Sequence, residues 1–300
     1  MLRVVSPIKF SASLLKVWMN CQQQAEFQEI LKRPRRMHAK ASFGTCIHDA
    51  LEQYNWHGDV EKAKARFEYT WSNPGYLGVT PDVWAKQQFG TLMDRGLKII
   101  QEYHDKQAWE PREVIATEHK FCVPFGDHII SGAVDLLEFK LSGRGVPTLK
   151  IVDYKTNAKQ PTLNELRFDI QFTVYYYASL QPEFWLGWEP EINKYRPMGG
   201  TPEKGAELWE RFKDAPRRPS WYHLWGNKEI DAGDRDDGDF MRLYRCLEAV
   251  NKAVEHGIYI PSIKAESCLW CDFKEECEAV QPIFHKLEVK PGGDGDDAMF

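Results

Sequence analysis

The sequence predicts an α/β or α+β fold in which a small sheet is flanked by helices, and three observations carry that expectation. Apolar residues recur at helical spacing through roughly the first hundred residues. The period then drops to two between about residues 114 and 156, and a helix opened by Pro161 follows the last of those strands.

Taken in order, Ser11 and Ser13 offer caps to a first helix whose stripe is Leu14, Leu15, Trp18 and Met19, with Cys21 near its end. A second helix, "FGTCIHDALEQYNW", carries the stripe Phe43, Ile47, Leu51 and Tyr54 with His48 beside it. "DVEKAKARFEYTW" reads as a third helix, "SNPGYLGVTP" as a loop and "DVWAKQQFGTLMDRGLKIIQEYHDK" as a long amphipathic helix. The runs "VIATEHKFCVPF", "HIISGAVDLLEFK" and "TLKIVDYKT" form an antiparallel meander, with "LSGRGVP" as the turn between the last two. After the helix "TLNELRFDIQFTVYYYASL" the pattern weakens from Gln181 to Asp239. There "EINKYRP" is a candidate strand. "RFKDAPRRPSWYHLW" reads either as a surface loop with buried tryptophans or as a site for single-stranded nucleic acid, with Arg217 and Arg218 for phosphates and Trp221 and Tyr222 for bases. A last helix, "DFMRLYRCLEAVNKAVEHG", precedes a cysteine-rich stretch, and residues 286–300 form an acidic tail expected to be disordered. Residues 1–285 are expected to form one domain.

The formal charge of −5 is local in origin. Residues 231–239 hold five aspartates against Arg235, and the tail holds four acids against two lysines. Against the near-neutral remainder, Lys32, Arg33, Arg35, Arg36 and Lys40 form either a phosphate-facing patch or a solvated basic helix end. No stretch reaches the length that spans a bilayer and the first twenty residues lack an apolar leader core, so a cytoplasmic location is expected. No Gly-Lys pair occurs, which excludes a phosphate-binding P-loop and hence a motor.

"LKIVDYKTN" places Asp153 and Lys155 on one face of a strand whose other residues are apolar. The neighbouring strand supplies Asp135 close to them across the hairpin. Two carboxylates sharing a half-buried sheet face repel one another unless a cation lies between them. Carboxylate oxygens suit Mg²⁺ or Mn²⁺, ions that also accept phosphate oxygens, and a lysine beside such an ion can hold an attacking water or neutralise developing charge. The plainer alternative is a pair of structural ion pairs at a sheet edge.

"GAVD" followed by "IVDYKTN", with "FGTCIH" upstream and "QFTVY" downstream, resembles the RecB-like branch of the PD-(D/E)XK nuclease superfamily, from about Ser11 to Cys277. The resemblance implies a restriction-endonuclease-like core, a small mixed sheet flanked by helices. It implies that Asp135, Asp153 and His48 ligate Mg²⁺ or Mn²⁺, with the Tyr154 carbonyl aimed at the same ion, and that Lys155 is the catalytic lysine. Gln171 and Tyr175, at i and i+4, match the family's Gln-x-x-x-Tyr element lining the site. Glu118 matches a less regular acidic position and is left outside the expected site.

Seven cysteines without a secretory signature argue for metal ligation rather than disulfides. Cys268, Cys271 and Cys277 supply three close thiols and a tetrahedral site needs a fourth. Cys46, Cys122 and Cys246 qualify by count. Cys21 is singled out by resemblance to the iron–sulfur RecB-like nucleases, AddB and the CRISPR-associated exonucleases among them, in which one cysteine precedes the core and three follow it. A [4Fe-4S] cluster joining the N- and C-terminal segments is therefore expected, a Cys₄ zinc site being its rival.

The expected activity is a metal-dependent deoxyribonuclease, an exonuclease on single-stranded or frayed DNA. Its ends would be delivered by a helicase, recombinase or integrase complex in recombination, repair, phage DNA processing or CRISPR-type spacer acquisition. The alternative is a non-catalytic nucleic-acid-binding module with a Cys₄ zinc site.

Overall fold

The structure, a computed structural model, describes residues 9–34, 39–73, 86–141, 145–157, 159–187, 196–269 and 271–277. By compactness the chain forms two units, one of Met1–Arg36, Pro124–Ile130 and Gly238–Phe300, the other of Met37–Val123 and Ser131–Asp237.

In the first unit, β1 (Lys9–Ser11) leads into α1 (Ala12–Asn20), capped by Ser11, whose side chain accepts from the Leu14 amide. The single helix expected here is interrupted. Cys21 is extended, with φ −157°, and its Sγ caps α2 (Gln22–Ala25), which runs into a π-turn over Glu26–Ile30. The break has visible compensation, because Gln22 donates its amide to Ile260 O and accepts from the Ile260 amide through its side chain. Proline at 22 could not donate that first bond.

In the second unit, α3 (Ala39–His57), α4 (Val60–Ser72) and α5 (Lys86–Gln107) pack on one sheet face. The meander follows as expected, with β2 (Glu113–Phe125), β3 (His128–Leu141) and β4 (Pro147–Lys155). Next come α6 (Leu163–Arg167), α7 (Ile170–Ser179), α8 (Pro182–Leu186) and α9 (Pro202–Phe212). They form the crossover to β5 (Arg217–His223), which is followed by β6 (Lys228–Asp231). The helix expected over 162–180 is divided at Asp169, whose carboxylate caps α7 by accepting from the Gln171 amide. The remaining helices, α10 (Asp237–His256) and α11 (Ala265–Leu269), belong to the first unit.

The sheet is mixed. Its order is β1-β3-β4-β5-β6 with β2 also on β3, and β4 runs antiparallel to β3 but parallel to β5. Central placement explains the apolar run in β4, since both faces are covered. Val152 and Tyr154, with Tyr222 opposite, join the core of α3–α5, whereas Trp221, opposite Asp153, packs with Leu166 and Phe172 from α6 and α7.

The segment Arg211–Trp225 is therefore neither a loop nor a nucleic-acid platform. Trp221 and Tyr222 are buried in β5. Arg217 is buried too, donating to the carbonyls of Lys213, Ala215 and Ser179, which corrects its expected role toward phosphate. Arg218 is exposed and paired with Asp231 at 3.0 Å. Arg33 is exposed and lies 3.8 Å from Glu276. Arg35 and Arg36 lie outside the described residues, as do Glu191–Tyr195 of the candidate strand, most of the 72–81 loop and the acidic tail. Among the described residues no helix is long and apolar enough to cross a membrane.

Candidate metal centre

Three side chains from three elements converge in the second unit. His48 of α3 puts Nδ1 3.5 Å from Glu118 Oε1 of β2 and 3.5 Å from Asp135 Oδ1 of β3. One ligand atom from each lies within 4.8 Å of the other two, and among the described residues this is the one group of three or more His, Cys, Asp or Glu so placed. The two carboxylates suit Mg²⁺ or Mn²⁺, and the imidazole adds a softer nitrogen donor to the set.

Local structure explains each position. Gly44, one turn before His48, has no Cβ where one would lie 3.1 Å from Thr156 Oγ1, so α3 can approach the end of β4 closely. Gly132 likewise leaves room for Phe121 and Tyr175, whose rings a Cβ would meet at 2.8 and 3.2 Å, three residues before Asp135. Asp135 Oδ2 accepts from the Tyr154 amide at 2.7 Å, which fixes the carboxylate across the hairpin.

Glu118 was not expected in the site. Its backbone adopts φ +45°, uncommon for a residue with a side chain, and there the burial pattern of β2 turns from three buried residues (115–117) to three open ones (118–120). That angle re-aims the carboxylate toward His48. Its place in a strand beside Asp135 was the available signal; its direction depends on that backbone angle, which no sequence period reports.

Asp153 is 1 % exposed and faces α7. Its Oδ1 accepts from Gln171 Nε2 at 2.7 Å and its Oδ2 contacts Lys155 Nζ. The same Gln171 Nε2 donates to Tyr175 Oη at 2.7 Å. The structure thus assembles Asp135, Asp153, Lys155, Gln171 and Tyr175, but Asp153 is engaged by lysine and glutamine and stands apart from the close His48–Glu118–Asp135 group. Tyr154 contributes its amide, and its ring lies on the opposite face, where its hydroxyl joins Asn55 and Tyr103.

The charges follow from these contacts. Burial alone would discharge His48, but Asp135 and Glu118 outweigh it and push its pKa up to about 10. Burial likewise disfavours the Asp135 carboxylate and the Lys155 ammonium. His48 nevertheless holds Asp135 below the usual carboxylate range, and Asp153 and Asp135 raise Lys155 above the usual lysine value. In the metal-free protein the protonated imidazole occupies the electrostatic role of a cation. Lys155 stays an ammonium, fit to stabilise negative charge and unfit to remove a proton at neutral pH.

The site opens onto a cleft of about 1340 Å³ lined by His48, Glu118, Lys155 and Asn157.

In the first unit, Cys21, Cys268, Cys271 and Cys277 all line one small cavity of about 20 Å³. No three of these sulfurs come within 4.8 Å of one another, so they do not form a closed single-ion cage. Cys46 and Cys122 are buried elsewhere and do not line that cavity, nor does Cys246.

The sequence model described as the PD-(D/E)XK nuclease superfamily matches residues 9–278. A solved structure titled "Crystal structure of SSO0001" aligns over 89% of this chain and 95% of that chain, with 10% sequence identity and a TM-score of 0.29. No curated protein matches the sequence.

Proposed function

Since the chain belongs to the PD-(D/E)XK nuclease superfamily, whose members are metal-dependent nucleases, we propose that it is a deoxyribonuclease of the RecB-like branch, an exonuclease acting on single-stranded or frayed DNA. The observation that carries this reading is the convergence of His48, Glu118 and Asp135 beside Lys155 at the cleft.

His48, Glu118 and Asp135 would hold Mg²⁺ or Mn²⁺, with Asp153 and the Tyr154 carbonyl as the further donors. The ion, when bound, supplies Lewis-acid polarisation of a phosphoryl oxygen and a lowered pKa for water. Lys155 places a fixed positive charge where the phosphate gains negative charge, and Asp153 holds that ammonium in position. Gln171 fixes the second oxygen of Asp153, and Tyr175 fixes Gln171 in turn.

We assign Cys21, Cys268, Cys271 and Cys277 of the first unit to a [4Fe-4S] cluster. A single zinc at Zn–S of about 2.3 Å draws tetrahedral thiolates to roughly 3.8 Å of one another, whereas a cubane seats each thiolate on its own iron and needs them further apart. That all four line one cavity supports a shared metal group, and the resemblance to the iron–sulfur RecB-like nucleases is what sets the cluster above a single zinc. Its role is structural, tying chain segments distant in sequence, and both units are read as one nuclease domain over residues 1–285. DNA ends are the partner, delivered by a helicase, recombinase or integrase complex.

Digestion of DNA labelled separately at the 5′ and 3′ ends, with Mg²⁺ or Mn²⁺, tests the reading. Mononucleotides or short oligomers released progressively from one end support an exonuclease. Internal fragments from a covalently closed circle would replace it with an endonuclease, and no cleavage with either ion would remove the reading.

A further inference from the structure

Resting on the nuclease reading above, we propose that Trp56 is a base-stacking platform and that the cleft takes a single strand with unpaired bases. The residues expected from sequence to stack bases, Trp221 and Tyr222, are buried in the sheet, so that role passes to another indole.

His48, Glu52 and Trp56 follow one another at intervals of four along α3 and therefore share a face. All three line the cleft. Eight helical residues span about 12 Å, a distance that a few nucleotides of one strand bridge. A base on Trp56 thus belongs to the same bound strand as a phosphate at His48, a few nucleotides away.

Trp56 is 51% exposed, whereas Trp18, Trp71, Trp185 and Trp221 are buried, and Trp109, 86% exposed, does not line the cleft. A lone exposed apolar side chain is ordinary. This one lies in a cleft whose other walls carry the exposed cations Lys120, from β2, and Arg196. Beyond Arg196 the wall is Gly199 and Gly200, with φ of 75° and 89°. A Cβ on Gly200 would meet nothing within 4 Å, so the backbone there is open to close approach by a ligand, whereas at Gly199 the Lys204 side chain fills that space. Cations that meet phosphates combined with an aromatic face that meets bases is the recognition chemistry of single strands. Within a duplex, away from its ends, the base faces are already stacked on one another and the indole has no partner.

The test measures binding by fluorescence anisotropy with EDTA present, so that no strand is cut. The probes are an end-labelled 20-nucleotide oligo-dT, the same backbone with abasic residues, and a blunt hairpin duplex. Wild type, Trp56→Ala and Trp56→Phe are compared, with thermal melts confirming folding. The expected result is that Trp56→Ala weakens oligo-dT binding by roughly 5- to 100-fold, Trp56→Phe retains most of it, and neither changes binding of the abasic strand or the hairpin. Equal oligo-dT affinity in wild type and Trp56→Ala would overturn the proposal, as would an equal loss on the abasic strand. Failure of wild type to cut DNA with Mg²⁺ or Mn²⁺ counts separately against the nuclease reading, and a platform effect seen in that protein would mark a binding module.

Discussion

Gln171 donates one side-chain nitrogen to both Asp153 Oδ1 and Tyr175 Oη, each at 2.7 Å, so a single amide on α7 orients the most buried acid of the site. Removing it strips a buried carboxylate of a charged hydrogen bond worth about 1.5–3 kcal/mol. Gln171→Ala is expected to lower kcat by about 10- to 100-fold, with thermal stability falling modestly. Steady-state cleavage kinetics measure it, and an unchanged kcat would place Gln171 outside the working site.

Lys155 and Asp153 form the closest ion pair of the site, and Asp153 is the main compensation for the burial of Lys155. Lys155→Met leaves a buried aspartate without its cation, at a cost of about 3–5 kcal/mol. The double variant Asp153→Asn/Lys155→Met removes both charges and is expected to recover part of that loss while remaining inactive. Urea denaturation of wild type, Lys155→Met, Asp153→Asn and the double variant reads the coupling; additive losses would mean that the pair does not act as a unit.

Much of this site could be read in the sequence, for a physical reason. Asp135, Asp153 and Lys155 sit in strands whose period of two fixes their face, while Gln171 and Tyr175 came with the family resemblance, their spacing placing them on one helical face. What could not be read depends on tertiary acceptors or on single backbone angles. Strand β5 begins Arg217-Arg218-Pro219-Ser220, which looks like surface until three backbone carbonyls accept from Arg217. Glu118 reaches the centre through a positive φ. The break at Cys21 is supported by Ile260, more than two hundred residues away.

His48 gives a pH signature. Its pKa of about 10 in the folded, metal-free protein lies above its unfolded value of about 6.5. The stability it contributes is therefore complete below about pH 6.5 and is lost as pH rises toward 10. Relative to His48→Gln, the apo protein is expected to lose stability over that window. A divalent ion must displace the same proton, so ion affinity should rise across the window with proton release on binding. Calorimetry in buffers of different ionisation enthalpy detects the proton; affinity independent of pH would show that His48 does not hold the ion.

Behind Tyr154 lies a buried network in which Arg112 donates to Glu138 Oε2 at 3.0 Å, Asn55 Oδ1 at 2.8 Å and Tyr103 Oη at 3.2 Å. Asn55 and Tyr103 in turn bond the Tyr154 hydroxyl. Arg112→Ala is expected to cost about 2 kcal/mol or more and to lower kcat by loosening Tyr154, whose amide holds Asp135. Denaturation and kinetics on one preparation separate the two effects, and full activity in a destabilised variant would confine the network to folding.

The proposed [4Fe-4S] cluster predicts that replacing Cys271 by serine reduces bound iron and the absorption near 400 nm that marks an iron–sulfur chromophore. Zinc in a colourless wild-type protein would assign the cysteines to a single-ion site instead.

The most direct measurement is Mn²⁺ binding, followed by electron paramagnetic resonance, with DNA cleavage measured on the same samples of wild type, Glu118→Gln and Asp135→Asn. The account predicts one tight ion and cleavage in wild type, weakened binding with reduced cleavage in Glu118→Gln, and loss of both in Asp135→Asn. Cleavage by Asp135→Asn at the wild-type rate would contradict it.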